Sequence, residues 1–94
     1  MAAPLQRRRW VFSGRVQGVG FRYRAQYAAQ ALELTGWVCN EWDGTVTLEA
    51  QGTPQALDRL VPMIRDTSRW ILIEDLRVRE IPPVEGERGF RVRG

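Results

Sequence analysis

The chain has 94 residues, of which 44% are hydrophobic, and a formal net charge of +3 at pH 7. This length suits one compact domain with one core and leaves no room for a second. All 14 basic residues are arginine, so the chain has no histidine for general acid–base catalysis, no lysine for a Schiff base and no Cys/His metal cluster.

The N-terminal part of the chain predicts a strand followed by a helix. Residues 8–16 are rich in Trp, Val and Phe and reach a glycine, as strands often do, while residues 1–7 are expected to be flexible. From residue 21 to 34 apolar side chains recur at helical spacing. The Thr35-Gly36 pair that follows is typical of a helix end.

A β-hairpin is predicted over residues 36–52. Asp43-Gly44 lies between two strand-like runs and is a strong turn signal. In the second run, over residues 45–50, apolar and polar side chains alternate. This alternation predicts a strand with one buried face and one wet face.

The second half of the chain predicts a helix and two further strands. Thr53 and Pro54 are typical of a helix start, and Pro62 within the following apolar stripe predicts a kink or an early end. The remaining predicted elements are a long strand, a loop and a short strand, at residues 69–81, 82–89 and 90–93.

This order of elements is the split βαβ pattern of an α+β protein, in which two helices pack on one face of an antiparallel sheet. We therefore predict one domain over residues 1–94. The second strand is expected to lie beside the first, which would bring its end close to the loop that follows the first strand. The architecture by itself does not indicate a function.

The segment that links the first strand to the first helix is rich in glycine. The part over residues 17–22, here called the glycine loop, contains Gly18 and Gly20 and ends on Arg22. Free N–H groups at the start of a helix attract anions. A nucleotide P-loop is excluded because the chain has no lysine, and a dinucleotide fingerprint lacks its last glycine. The position six residues before Arg22 is Val16, so this loop lacks the nucleophile of a cysteine-dependent phosphatase.

These exclusions leave a cradle of backbone N–H groups that meets a planar, permanently charged guanidinium at Arg22. A tight turn without a ligand remains the alternative. Asn40, near the end of the second strand, has a carboxamide that can orient a water molecule without changing its protonation. Ordinary turn chemistry is the alternative explanation for this residue.

Three successive motifs resemble the signatures of the acylphosphatase family: GRVQGVGFR at 14–22, TGWVCN at 35–40 and DGTVTLEAQG at 43–52. The resemblance covers roughly residues 10–65. It weakens in residues 66–75, where the family often has a Gly-Pro pair that this chain lacks.

The resemblance implies a ferredoxin-like fold and hydrolysis of acyl phosphates by direct attack of water, without a metal, a cofactor or a phosphoenzyme. It implies that Asn40 positions the attacking water. It also implies that the phosphoryl group is held by Arg22 and by the backbone N–H groups of Gln17, Gly18, Val19, Gly20, Phe21 and Arg22.

Two other functions were weighed against this one. An idle domain that binds an anion in the same loop would need Arg22 but not Asn40. A basic nucleic-acid-binding module is less expected because the third strand has no aromatic side chain for base stacking. The run Arg7–Arg9 is interpreted as a solvated charge cluster.

The expected partners are a small acyl phosphate substrate and phosphate or other anions that bind in the same place. Cys39 is the only cysteine and cannot form an internal disulfide. The longest apolar run, at residues 70–73, is far too short to span a membrane, and no signal peptide is recognisable. We therefore expect a cytoplasmic monomer that binds neither membranes nor nucleic acid.

Overall fold

Five strands and two helices form the fold, and a computed structural model describes residues 5–94. The elements are β1 (Gln6–Arg15), α1 (Phe21–Ala31), β2 (Thr35–Asn40), β3 (Val46–Gly52), α2 (Pro54–Asp66), β4 (Leu72–Ile81) and β5 (Phe90–Arg93). The strands form one sheet in the order β4-β1-β3-β2-β5, antiparallel except where β5 pairs in parallel with β2. The predicted α+β split βαβ architecture is confirmed.

The prediction that β2 lies beside β1 is wrong, because β3 lies between them. Leu48 on β3 pairs with Trp10 on β1 and with Val38 on β2. The hairpin turn brings β3 antiparallel to β2, and the other edge of β3 then pairs antiparallel with β1. Antiparallel ladders on both edges are slightly more stable per residue than the parallel contact that direct β1–β2 pairing would make.

The core lies between the sheet and the two helices. Phe12 on β1 and Phe21 at the start of α1 are both fully buried, and their ring centroids are 4.8 Å apart. Leu57, Leu60 and Ile64 of α2 belong to the same buried cluster. The junction between β1 and α1 is therefore anchored in the core at its helical end.

Both helices end differently from their predictions. α1 ends at Ala31 because Glu33 adopts a left-handed backbone with φ of 59°, and the Leu34 N–H donates to the carbonyl of Ala29 at 2.8 Å. α2 is capped by Thr53 as predicted, but it continues through Pro62 to Asp66. Pro62 lies on the exposed side of the helix, where water can solvate the carbonyl that loses its partner.

The prediction that one face of β3 is exposed to water is also wrong. Thr47 and Gln51 point away from the helices, yet they are only 3% and 8% exposed. The loop between β4 and β5 covers Gln51, whose Nε2 donates to the carbonyl of Val84 at 2.9 Å while its Oε1 accepts from the Val84 N–H at 2.7 Å. A central strand covered in this way has little solvent on either face.

Arg7 is the clearest departure from the sequence analysis, because it is 1% exposed instead of solvated. Its Nε donates to Glu49 at 3.0 Å, and its Nη1 and Nη2 donate to Glu87 at 2.7 and 3.1 Å. Gln6 and Arg7, which fall within the segment predicted to be flexible, belong to β1. Residues 1–4 of that prediction lie outside the described residues.

The ion pair between buried Arg7 and Glu87 is expected to make a contribution to the free energy of unfolding that is lost in acid. Burial raises the pKa of Glu87, but the hydrogen bonds and charge of Arg7 outweigh burial, so its pKa lies below the usual range. Ionised Glu87 therefore stabilises the fold above the ordinary glutamate pKa of about 4.3, and this contribution is lost as the pH falls through the folded-state value. Glu87→Gln is expected to lower the free energy of unfolding at pH 7 by about 2 kcal/mol.

Urea unfolding measured between about pH 3 and pH 7 tests this expectation. The variant should show a flatter dependence of stability on pH than the parent. Glu85→Gln is the matched control, since Glu85 lies exposed in the same loop. Equal pH profiles for Glu87→Gln and the parent would show that the Arg7–Glu87 pair does not stabilise the fold.

Candidate active site

The glycine loop presents open backbone N–H groups at the start of α1. Gly18 and Gly20 have φ of 73° and 78°, in the left-handed region that glycine adopts without steric cost. Gly20 is the N-cap of α1, and no side chain caps the helix there. Among residues 5–94, no backbone carbonyl accepts from an N–H of residues 17–22. These donors are available to an anion, and the helix dipole favours negative charge at the same place.

The side chain of Gln17 attaches the loop to the β2–β3 turn. Its Nε2 donates to the carbonyl oxygens of Glu41 at 2.7 Å and Thr45 at 2.9 Å. The turn is closed by a hydrogen bond from the Glu41 N–H to the Thr45 carbonyl at 2.8 Å. From the sequence, only the backbone of Gln17 is expected to belong to the site, because a pattern along the chain does not show which carbonyls a side chain will reach.

Arg22 lies in the first turn of α1 and its guanidinium points towards the end of β5. Nη1 donates to the carbonyl oxygens of Arg93 at 3.0 Å and Gly94 at 2.8 Å. Within residues 5–94, its Nε and Nη2 donate to no other group. The two carbonyls orient the guanidinium and leave part of its planar fork open for an oxyanion.

Asn40 is the last residue of β2, and its Oδ1 is buried without a hydrogen-bond partner among the described residues. Such an orphaned acceptor is costly unless a ligand or water satisfies it. β5 runs parallel to β2, with Cys39 paired to Arg93, so Gly94 lies beside Asn40. A Cβ built on Gly94 would lie 3.5 Å from the Asn40 carbonyl oxygen.

Residues 93–94, at the end of β5, accept two hydrogen bonds from the Arg22 guanidinium and lie beside the backbone of Asn40. From the sequence, pairing of β2 with β1 is expected to bring Asn40 close to the glycine loop. In the structure β3 separates these two strands, and the end of β5 is the segment that neighbours both Arg22 and Asn40. The site thus combines three distant segments of the chain: the glycine loop, the end of β2 and the end of β5.

The family model for acylphosphatase matches residues 8–92. The chain belongs to the acylphosphatase family. It is 43% identical over 79 residues to the acylphosphatase of Clostridium acetobutylicum, covering 84% of this chain and 87% of that protein. It is 42% identical to the acylphosphatase of Bifidobacterium longum, covering 98% and 96%.

A solved structure agrees with the family assignment. The crystal structure of the acylphosphatase from Bacillus subtilis matches this fold with a TM-score of 0.87 at 37% identity, covering 97% of this chain and all of that one. The predicted enzyme class is confirmed, and the idle anion-binding alternative is not favoured. No helix within residues 5–94 is both long enough and apolar enough to cross a membrane.

Proposed function

We propose that this chain hydrolyses acyl phosphates to a carboxylate and inorganic phosphate by direct attack of water. The glycine loop and Arg22 hold the phosphoryl group, and Asn40 orients the water. The observation that carries this proposal is the position of residues 93–94, which hold the guanidinium of Arg22 and lie beside the backbone of Asn40, whose Oδ1 has no hydrogen-bond partner among the described residues.

The glycine loop and Arg22 complement the negative charge of a phosphoryl group during its transfer. Phosphoryl transfer spreads negative charge over the equatorial oxygens, and catalysis consists mainly of positioning and electrostatic stabilisation. The N–H groups of residues 17–22 are held in place by the fold before substrate arrives, so their dipoles need no reorganisation during the reaction. The open side of the Arg22 guanidinium adds a full positive charge.

Asn40 suits a reaction that needs an oriented nucleophile and no strong base. Its Oδ1 accepts a hydrogen bond from water and turns an oxygen lone pair towards phosphorus. The bond from phosphorus to water forms while the bond to the acyl oxygen breaks, and the carboxylate leaves with that electron pair. The proton of the attacking water passes to the product phosphate or to solvent. A carboxylate is a good leaving group, so the absence of histidine and lysine does not prevent catalysis.

Hydrolysis of benzoyl phosphate in excess chelator tests this proposal. The parent protein is expected to release benzoate and phosphate in equal amounts, at a rate that does not depend on the chelator. A folded protein that binds inorganic phosphate but does not release benzoate would overturn the proposal. A rate abolished by the chelator and restored by one metal would overturn the metal-free mechanism.

Gln17→Ala is expected to lower kcat/KM for benzoyl phosphate about tenfold. The variant loses both hydrogen bonds to the β2–β3 turn, worth about 1–2 kcal/mol together, and the loop N–H groups lose their fixed direction. Steady-state kinetics measure the loss, and calorimetry with inorganic phosphate shows whether binding weakens in parallel. Gln55→Ala, on the exposed side of α2, is the matched control and should leave both values unchanged. Parent-like kinetics for Gln17→Ala would show that the loop does not need this attachment.

We further propose that residues 1–94 form a single domain that acts as a monomer in the cytoplasm. A lone cysteine is compatible with a reducing compartment. Sedimentation equilibrium at micromolar concentration should give the mass of one chain. A mass of two chains would contradict the monomer.

A further inference from the structure

A cavity of about 380 Å³ lies on α1 beside the glycine loop, lined by Gly20, Tyr23, Arg24, Tyr27 and Thr67. We propose that this cavity binds the acyl group of the substrate and that it favours aromatic acyl groups over acetyl. The inference rests on the proposed hydrolysis of acyl phosphates and adds the substrate class.

The cavity adjoins the glycine loop, where the phosphoryl group is proposed to bind. Gly20 belongs both to the glycine loop and to the cavity wall. The side chain of Arg24 lies close to this loop, since a Cβ built on Gly20 would lie 3.7 Å from the Arg24 Nε. Nη1 of Arg24 donates to the carbonyl of Thr67 at 2.7 Å, which joins α1 to the segment after α2. An acyl group attached to a phosphoryl group in the loop can therefore extend into the cavity.

Two aromatic rings supply the apolar wall. Tyr23 and Tyr27 are four residues apart on α1, so they lie on one side of the helix as neighbours. Their side chains are 66% and 70% exposed, far more than the buried residues of the core. An aromatic acyl group can pack against rings of this kind in offset or edge-to-face geometry, whereas a methyl group offers little area.

Charge favours this cavity over the larger one on the other side of the loop. That cavity, of about 720 Å³, includes Arg15, Gln17, Asp43 and Glu74 among its lining residues. Hydrogen bonds from the Thr45 side chain and backbone lower the pKa of Asp43, so its carboxylate is ionised at neutral pH. Two carboxylates and one guanidinium repel a departing carboxylate. Among residues 5–94, Arg24 is the only charged residue that lines the cavity of Tyr23 and Tyr27.

The segment after α2 contributes to the cavity. Thr67 lies in residues 66–75, where the resemblance to the family motifs weakens, and its backbone carbonyl accepts a hydrogen bond from Arg24 at the cavity wall. The phosphate end of the site is built elsewhere, from the glycine loop and Asn40. Selection among acyl groups can therefore change without altering phosphoryl binding.

The test compares kcat/KM for benzoyl phosphate and acetyl phosphate in the parent and in Tyr23→Ala/Tyr27→Ala. Loss of two aromatic contacts should lower the benzoyl-to-acetyl ratio about tenfold, with most of the change in KM. Acetyl phosphate is the reference substrate and should change by less than about twofold, because its methyl group presents too little area to the rings. Tyr27→Phe should keep the parent ratio, since the ring is retained.

Two controls separate the possible outcomes. Val84→Ala removes an exposed apolar side chain from the β4–β5 loop and should leave the ratio unchanged. The affinity for inorganic phosphate, measured by calorimetry, should be equal in the parent and the double variant. If the parent hydrolyses both substrates and the double variant keeps the parent's benzoyl-to-acetyl ratio, the assignment of the cavity to the acyl group would be overturned. The proposed hydrolysis of acyl phosphates would not be affected. A parent that hydrolyses neither substrate would overturn the proposed function and this inference with it.

Discussion

Arg22→Ala is expected to lower kcat/KM for benzoyl phosphate by at least about 100-fold. Removing one preorganised donor from an anion-stabilising site costs on the order of 3 kcal/mol, and Arg22 carries a full charge in addition. Both KM and kcat should change, because in the proposed mechanism the guanidinium holds the phosphoryl group before and during transfer. Steady-state kinetics and calorimetry with inorganic phosphate measure the two effects separately.

The fold should survive this substitution. Arg22 is partly exposed and gives up only two hydrogen bonds to backbone carbonyls, so the free energy of unfolding should fall by about 1 kcal/mol or less. Arg22→Lys keeps a charge but not the planar fork and should recover only a small part of the activity. Arg59→Ala, exposed on α2, is the matched control for charge and should retain parent activity. Activity within tenfold of the parent in Arg22→Ala would remove Arg22 from the mechanism.

Asn40→Ala is expected to lower kcat for benzoyl phosphate by about 100-fold or more and to leave the affinity for inorganic phosphate nearly unchanged. In the proposed mechanism the carboxamide acts on water, whereas the glycine loop and Arg22 hold the phosphoryl group. This separation of kcat from binding distinguishes the substitution from Arg22→Ala. The measurements are steady-state kinetics and calorimetry on the same preparations.

The free energy of unfolding provides a second, independent test of the role of Asn40. Its Oδ1 is buried without a partner, so removing it relieves an unsatisfied acceptor, and the free energy of unfolding should not fall by more than about 1 kcal/mol. A residue of structural importance behaves in the opposite way, losing stability while activity per folded molecule is kept. If urea denaturation and kinetics gave that second pattern, Asn40 would be a structural residue and the water would need another acceptor.

The proposed site explains how a chain without histidine and lysine can catalyse hydrolysis. In the proposed mechanism, backbone N–H groups and one guanidinium stabilise an anion whose charge is already present in the substrate, so little proton transfer is required. The fold contributes rigidity: Phe21 anchors the start of α1 in the core, Gln17 holds the loop to the β2–β3 turn, and the end of β5 orients Arg22. We expect rates that depend weakly on pH near neutrality, since the chain contains no histidine, the side chain that ordinarily changes charge in that range.

The element types could be predicted from the sequence because they depend on local features, and the proposed phosphate end of the site rests on local features of the same kind. Apolar spacing indicated α1 and α2, Asp43-Gly44 indicated the hairpin, and Thr53 indicated a helix cap. The motif at 14–22 likewise pointed to an anion site, since open N–H groups at a helix start follow from glycine content and from the strand-to-helix change. These signals act over a few residues, where chain geometry leaves few alternatives.

Tertiary structure alone decided the contacts between residues far apart in the chain. Arg7 is buried because Glu87, 80 residues later, folds over it, and Arg22 is oriented by Arg93, 71 residues later. Arg7–Arg9 looked like a solvated cluster because a charge pattern does not show which carboxylates will cover it. The position of β3 between β1 and β2 has the same origin, since a strand pattern indicates a buried face but not the neighbouring strand. By itself the sequence determined which groups are available to bind a phosphoryl group, and packing across the sheet decided where they meet, because pairing partners and side-chain directions are set by long-range contacts.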